Sequence, residues 1–369
     1  MAMKVVHLSV VRHLTSGQAK QLACEVEAAG KLRNVAWSTV ALQTTPPEHH
    51  FSRRIPILFR PMFLRNLFGW ITALHLSRQH DYLVMRHMTF DPFALIFAPL
   101  IRNRISVHHA KEADELLLVS GGWKGRAAAW LEGLTGRIAV RHACMIAGVT
   151  PEIAEYERVR HAPSKPTAVY ANGLIPAPDG VLADRRGQGS IRAAFICGTF
   201  ADWQGLDKLV AAVDAAGDDV AHFKIYLIGG LSEAQAQTVA ATPARAKAFV
   251  NCGFMSEAEY RPILETCDIG IGSLALERAN LVQAATLKVR EMLAMGLPVY
   301  STHEDGSLPR DFRYYLNDDG VVVRNMVGFA NRHRRVGRKE VCEAASPYIS
   351  KESEMKKLVA SMRALGPAG

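Results

Sequence analysis

Short apolar runs of strand length alternate with helical stretches along the whole chain. Residues 4–11 are apolar and reach Arg12 and His13, the pattern of a first buried strand. Thr15-Ser16-Gly17-Gln18 then opens a helix that runs to Ala29 and stops at Gly30. Residues 35–42, 81–87 and 105–109 predict further strands, and 93–101 and 128–134 predict helices. Residues 138–140 and 145–149 read as strand pieces, and Thr150 caps a short helix with Pro151 at its first position. Beyond Gly180 the alternation repeats. Strands are predicted at 191–197, 223–228, 249–255, 268–273 and 319–323, with helices at 260–267 and 353–365. Strands alternating with helices in both halves predict an α/β fold of two units, each with a parallel sheet.

Composition adds bounds. A chain of 369 residues is long enough for two cores. No apolar run approaches the roughly eighteen residues of a membrane span. The start Met1-Ala2-Met3-Lys4-Val5 enters a strand directly, without the apolar core of a signal peptide. The six cysteines form no C-x-x-C pair, which argues for free thiols and against a zinc site of that type. The net charge of +9 is lopsided, with 21 Lys/Arg against 13 Asp/Glu in residues 1–180. That basic half favours an acidic partner.

Residues 49–80 concentrate this charge: Arg53, Arg54, Arg60, Arg65 and Arg78 stand there without one acidic residue. Among them lie Ile57, Leu58, Met62, Phe63, Leu64 and Trp70. Two readings stay open, a segment lying on an anionic membrane surface and a core helix whose Arg stems reach water. Nucleic acid is disfavoured, because no helix-turn-helix, RNP or zinc-finger pattern is present. Walker, H-E-x-x-H, G-x-S-x-G and G-x-G-x-x-G signatures are absent as well.

The most informative stretch is residues 286–300. Thr286 is placed to cap a helix, Gly296 to end it, and Pro298-Val299-Tyr300 to pass into a strand. Lys288 and Glu291, three apart, share a helix face near its N-terminus. A cation beside the positive end of the helix dipole favours a diphosphate, and a carboxylate can accept from two ribose hydroxyls. An exposed ion pair is the other reading of that spacing.

Lys288-x-x-Glu291-x-Leu293-Ala294-x-Gly296-Leu297-Pro298-Val299 resembles the C-terminal-domain signature of group 1 (GT4-like) glycosyltransferases of GT-B fold. The resemblance implies two Rossmann-like domains facing a central cleft. It assigns the donor ribose to Glu291 and the diphosphate to Lys288. Residues 169–174, with Asn172-Gly173, resemble the strand and turn that close the family's first domain. Gly198-Thr199 opens a segment resembling the family's G-x-x-x-x-x-K-G loop, but Gln204 stands where the phosphate-binding Lys is expected. Phosphate neutralisation then falls to Lys288 and Arg290, or to Lys208. Gly253 and Phe254 resemble the loop that contacts the base. Gln283 stands eight residues before Glu291, where many members carry a second Glu. The loop at Gly17 would touch acceptor or donor phosphate, and His109 (or His108) would touch the sugar, a purely structural histidine being the alternative.

The expectation is therefore an enzyme, a glycosyltransferase with a nucleotide-diphosphate sugar as donor substrate, retention at the anomeric carbon, and neither metal nor other cofactor. Its partners would be a glycan or lipid-linked acceptor and an anionic membrane surface, at the cytoplasmic face, without nucleic acid. The expected division is an acceptor-side domain at 1–178, a linker at 179–190, a nucleotide-sugar domain at 191–345, and a helix at 346–369 that crosses back. A nucleotide-sugar epimerase of the same fold and a non-catalytic GT-B-like subunit remain as alternatives.

Overall fold

A computed structural model describes residues 2–187, 189–217 and 222–366; Met1, Gln188 of the expected linker and residues 367–369 of the expected C-terminal segment lie outside it. The chain divides into two compact units. Unit 1 comprises Met1–Ile175 and Ser350–Gly369, and unit 2 comprises Pro176–Ile349.

Unit 1 carries strands β1 (Met3–Val10), β2 (Val35–Gln43), β3 (Ser52–Arg54), β4 (Tyr82–Arg86), β5 (Arg104–His108), β6 (Met145–Gly148) and β7 (Thr167–Val169). They pair in parallel in the order β3-β2-β1-β4-β5-β6-β7. Its helices are α1 (Ser16–Ala29), α2 (Met62–Ser77), α3 (Ala94–Phe97), α4 (Glu112–Ser120), α5 (Gly122–Arg141) and α6 (Pro151–His161). Crossover helices cover both faces of a parallel sheet, so successive residues are buried on opposite sides. Val5, Val84, Ile105 and Ala147 join one core cluster, while Val6, Leu8, Leu83 and Met85 join the other. The strand order reverses between β1 and β4. That reversal opens a crevice at the carboxyl ends of the strands, the place where such sheets bind ligands.

Two local expectations in unit 1 are corrected. Residues 138–140 are not a strand but the last turns of α5, whose Ala139 and Val140 are buried; a three-residue apolar run carries no period to separate the two states. The basic segment 49–80 divides between its two readings. Asn66, Gly69, Trp70 and Ala73 form the buried face of α2, whereas Ile57 (71% exposed), Leu58 (76%), Met62, Phe63 and Leu64 project to solvent. No helix among the described residues is long and apolar enough to cross a membrane.

Unit 2 carries β8 (Ile191–Thr199), β9 (Phe223–Gly230), β10 (Phe249–Gly253), β11 (Ile269–Ile271), β12 (Gln283–Ala284), β13 (Val299–Ser301), β14 (Glu304–Asp305) and β15 (Tyr315–Asn317). Its helices are α7 (Leu206–Ala215), α8 (Glu233–Ala240), α9 (Pro243–Ala248), α10 (Glu257–Thr266), α11 (Leu287–Ala294), α12 (Val323–His333) and α13 (Arg338–Ile349). The main sheet is parallel with order β10-β9-β8-β11-β13-β15, and it reverses between β8 and β11. Residues 319–323 are not its last strand. β15 takes that place, and Val323 begins α12, whose Val323, Met326, Phe329 and Ala330 bury one helical face. Of the basic run near residue 335, Arg338 is not solvated: it is 3% exposed and donates to the carbonyls of Leu264, Glu265 and Cys267.

The last helix, α14 (Lys351–Leu365), belongs to unit 1, where Met355, Leu358, Val359 and Met362 share a core cluster with β1, β4 and β5. Gly173 explains the Asn-Gly pair that precedes unit 2. A Cβ on it would lie 2.8 Å from the Lys351 backbone, so only glycine lets the start of α14 close on this segment. The Lys351 amide donates to Leu174 O at 2.8 Å there.

Candidate functional site

In unit 2 the polar groups gather at the carboxyl end of β8, beside its switch point. Lys288, in the first turn of α11, extends its Nζ to this edge. It donates to Gln204 Oε1, lies 3.7 Å from Cys197 Sγ, and stands 5.0 Å above the Phe195 ring. Burial holds its pKa below the ordinary lysine value. Gln204 thus receives the Lys288 ammonium, which places a positive charge at this corner. Gln204 Oε1 also accepts from Ser273 Oγ at the end of β11, at 3.2 Å.

The other expected cations stand elsewhere. Lys208 pairs with Glu277 at 2.6 Å on an exposed surface. Arg290 is corrected outright as a phosphate ligand. It is fully buried and forms a two-pronged pair with Asp305, at 2.6 and 3.1 Å, with Nη1 3.4 Å from Thr286 O. Because Asp305 also accepts from the Ser307 amide at 3.0 Å, this pair ties the loop after β13 to the N-terminus of α11. Thr286 occupies the N-cap position without capping, and its Oγ1 is buried with no hydrogen-bond partner. Thr302 Oγ1, His303 Nε2 and Ser307 Oγ share that condition. A buried polar atom left unsatisfied costs about 1–3 kcal/mol.

His303 was not legible in the sequence. It follows the carboxyl end of β13, with Nδ1 2.7 Å from Ser301 Oγ and 3.1 Å from Ser273 O. Ser301 Oγ donates to Ser273 O, so Nδ1 carries the proton and Nε2 keeps a lone pair. Burial pushes its pKa down to about 4, with Lys288 and Arg290 adding to the effect, so the ring is neutral near pH 7.

Gly198 and Thr199 form the exposed end of β8, where Thr199 pairs with Gly230. Gly253 has φ +68° and open space around it, and the Phe254 ring, 75% exposed, lies over Gly230. Glu291 is half-buried in the second turn of α11, and Gln283 donates to Glu304 Oε2 at 3.1 Å. Residues 198, 199, 253, 254 and 288 therefore collect at the carboxyl ends of β8–β10 and the start of α11.

Unit 1 has its own cavity, of about 400 Å³, at the ends of β1, β4 and β5. Arg12, Arg65, Arg86, His109, Glu112 and Glu115 line it, together with Thr15 and Gln18 from the start of α1. Gly17 lies in that first turn, where Thr15 and Gln18 cap each other. His109 is exposed by area although protein surrounds its ring. That enclosure, with Arg86, His7 and Lys351 nearby, holds its pKa well below the histidine value. Its neighbour His108 turns into the interior. Burial also lowers Arg65 and Arg86, with Arg12 a further cause at Arg65. Three guanidinium groups 53 and 21 residues apart in sequence thus line one concavity, together with the carboxyl-bearing Glu112 and Glu115.

No protein-family model matches this sequence, and no curated protein does either. Solved structures do match in shape. The apo form of the lipopolysaccharide outer core galactosyltransferase WaaB superposes with a TM-score of 0.62 at 11% identity, over 97% of this chain and 99% of its own. Sucrose-phosphate synthase from Thermosynechococcus elongatus gives 0.65 at 13% identity, over the whole of both chains. The fold is GT-B. A putative UDP-N-acetylglucosamine 2-epimerase from Listeria monocytogenes is similar too, with 0.56 at 13% identity, over 99% of this chain and 96% of its own. Both clusters described above lie at the carboxyl ends of parallel strands, the edge at which open α/β sheets bind ligands.

Proposed function

We propose that this protein is a glycosyltransferase that moves a sugar from a nucleoside-diphosphate donor to an anionic, lipid-linked or polysaccharide acceptor. The observation that carries the reading is the Lys288 ammonium at the carboxyl end of β8, in the first turn of a helix whose Thr286 makes no side-chain cap. Lys288 and the amides of α11 take the diphosphate, so the leaving-group charge needs no divalent ion at the donor. Glu291 holds the ribose hydroxyls, Phe254 offers a ring face to the base, and His303 Nε2 accepts from a donor hydroxyl. Retention at the anomeric carbon belongs to this reading through the family signature at 288–299. The arginine-lined cavity of unit 1 receives the acceptor's negative group, with His109 at the sugar.

Thermal unfolding with UDP, GDP, ADP or dTDP in excess EDTA tests the donor site. A nucleotide at 100 times its Kd stabilises the fold by about 2.7 kcal/mol. One of the four is expected to raise Tm in the wild type and not in Glu291→Ala. No shift with any nucleotide removes the donor reading. Acceptor-free conversion of the matching nucleotide sugar to a product inverted at one sugar carbon, free or still nucleotide-linked, would assign epimerisation instead.

The acceptor is expected at the cytoplasmic face of a membrane. Met62 lines the cavity, and on the same segment Ile57, Leu58, Phe63 and Leu64 are exposed, as are Arg53 and Arg54. Each basic residue at an anionic surface contributes about 1 kcal/mol. Sedimentation with phosphatidylglycerol vesicles at low salt should carry the wild type down, and Arg53→Glu/Arg54→Glu should leave it in the supernatant. A wild type that never sediments rules out the membrane-bound acceptor.

A further inference from the structure

Three histidines and three glutamates meet inside unit 1, apart from the donor residues. His87 and Glu132 pair at 2.9 Å, and Glu132 also accepts from the Phe90 amide. His108 stacks against His87, with ring centroids 4.6 Å apart. One ligand atom each from His108, Glu112 and Glu157 lies within 4.8 Å of the other two, and all three residues are buried. His108 Nε2 is anchored 3.0 Å from Ser106 Oγ, which turns Nδ1 toward the carboxyls. Nδ1 is 3.0 Å from Glu112 Oε1 but makes no hydrogen bond. Glu112 Oε2, Glu157 Oε1 and His161 Nε2 also lack hydrogen-bond partners, and His161 Nε2 is 3.4 Å from Glu157.

We infer that His108, Glu112 and Glu157 bind a divalent first-row transition-metal ion, zinc first among them. Imidazole nitrogen with carboxylate oxygen is a zinc donor set, and bonds of about 2.0–2.2 Å put neighbouring donors roughly 3–3.5 Å apart. The 3.0 Å separation of His108 Nδ1 and Glu112 Oε1 already has that scale. Glu112 and Glu157 each bring a buried carboxylate oxygen within 4.8 Å of the other. Two abutting buried carboxyls cannot both be charged unless a cation lies between them. A divalent ion balances both and satisfies the orphaned atoms together. Ser106 has the outer role of fixing the ring and its tautomer. Glu112 also lines the cavity, which provides a way in from solvent. The ion would join β5, α4 and α6 beneath that cavity as a structural clamp. The site departs from the expectation of a metal-free protein, and it stands whether or not the donor reading holds.

The test uses full-length protein purified without chelator. Elemental analysis should find about one equivalent of bound metal. After stripping, Co²⁺ should bind with a visible ligand-field spectrum. Glu157→Gln, which keeps the volume, should abolish that spectrum. Ser106→Ala should weaken Co²⁺ binding by about 10–100-fold, the usual effect of losing such a supporting contact. Circular dichroism checks that each variant folds, and Ser106→Ala carries the test alone if Glu157→Gln does not. A folded wild type that neither retains metal nor takes up Co²⁺ overturns the proposal, the two carboxyls then sharing a proton. Undiminished Co²⁺ affinity in both variants overturns it equally, since the ion then sits elsewhere.

Discussion

Lys288→Ala is expected to lower kcat/KM for the nucleotide-sugar donor by about 10²–10³-fold, the usual cost of removing one preorganised group that stabilises developing charge. The reason is local. Arg290 is sequestered by Asp305 and Lys208 by Glu277, so neither takes over the diphosphate. Gln204 would lose the ammonium it now accepts from, and the corner at the end of β8 would keep a dipole where it had a charge. Lys288→Met is the companion variant. It keeps the contact with Phe195 and removes only the charge, so its Tm should stay near the wild type while activity falls as far. Steady-state kinetics with the donor identified by thermal shift decide the matter. A kcat/KM within threefold of the wild type would sink the assignment.

Asp305→Ala is expected to destabilise unit 2 by about 3–5 kcal/mol, because it strands a fully buried guanidinium. For a unit of this size that is a fall in Tm of roughly 10 °C. Replacing both partners, as Arg290→Met with Asp305→Leu, should recover most of the loss, since two apolar side chains leave no unpaired charge. Differential scanning calorimetry of the single and double variants checks both statements. If the single variant melts with the wild type, the pair is not holding the loop after β13. The same pair positions Ser307 and the start of α11, so nucleotide affinity should fall in the single variant as well.

Most of the strands and the position of α11 were readable from the chain, because parallel strands buried on both faces appear as compact apolar runs. Gly296 was legible for a comparable reason: with φ +87° it occupies a conformation that few other residues tolerate. What failed shows the limit. Val321-Val322-Val323 has strand chemistry, yet Val323 is held in α12 by a buried face that extends to Ala330, beyond any local window. Lys288 and Arg290 are both cations, but two residues apart on a helix they point to different faces, and the face of Arg290 is buried against Asp305. His303 and the arginines of the unit 1 cavity belong to no motif. They share a site because parallel strands align their carboxyl ends, which becomes visible only once the strand order is known. The histidine–glutamate cluster was hidden in the same way, its members being spread over β5, α4, α5, α6 and the end of β4.

Helix α14 gives unit 1 a discontinuous sequence. Four of its side chains complete a core whose other members were synthesised before unit 2 began. Since chains emerge N-terminus first, the nascent first half must wait through the synthesis of some 170 residues with the Val5, Val84 and Ile105 face of its sheet uncovered. A fragment stopping at Ile175 would lack those four side chains permanently, so grafting α14 onto its end is expected to raise its stability.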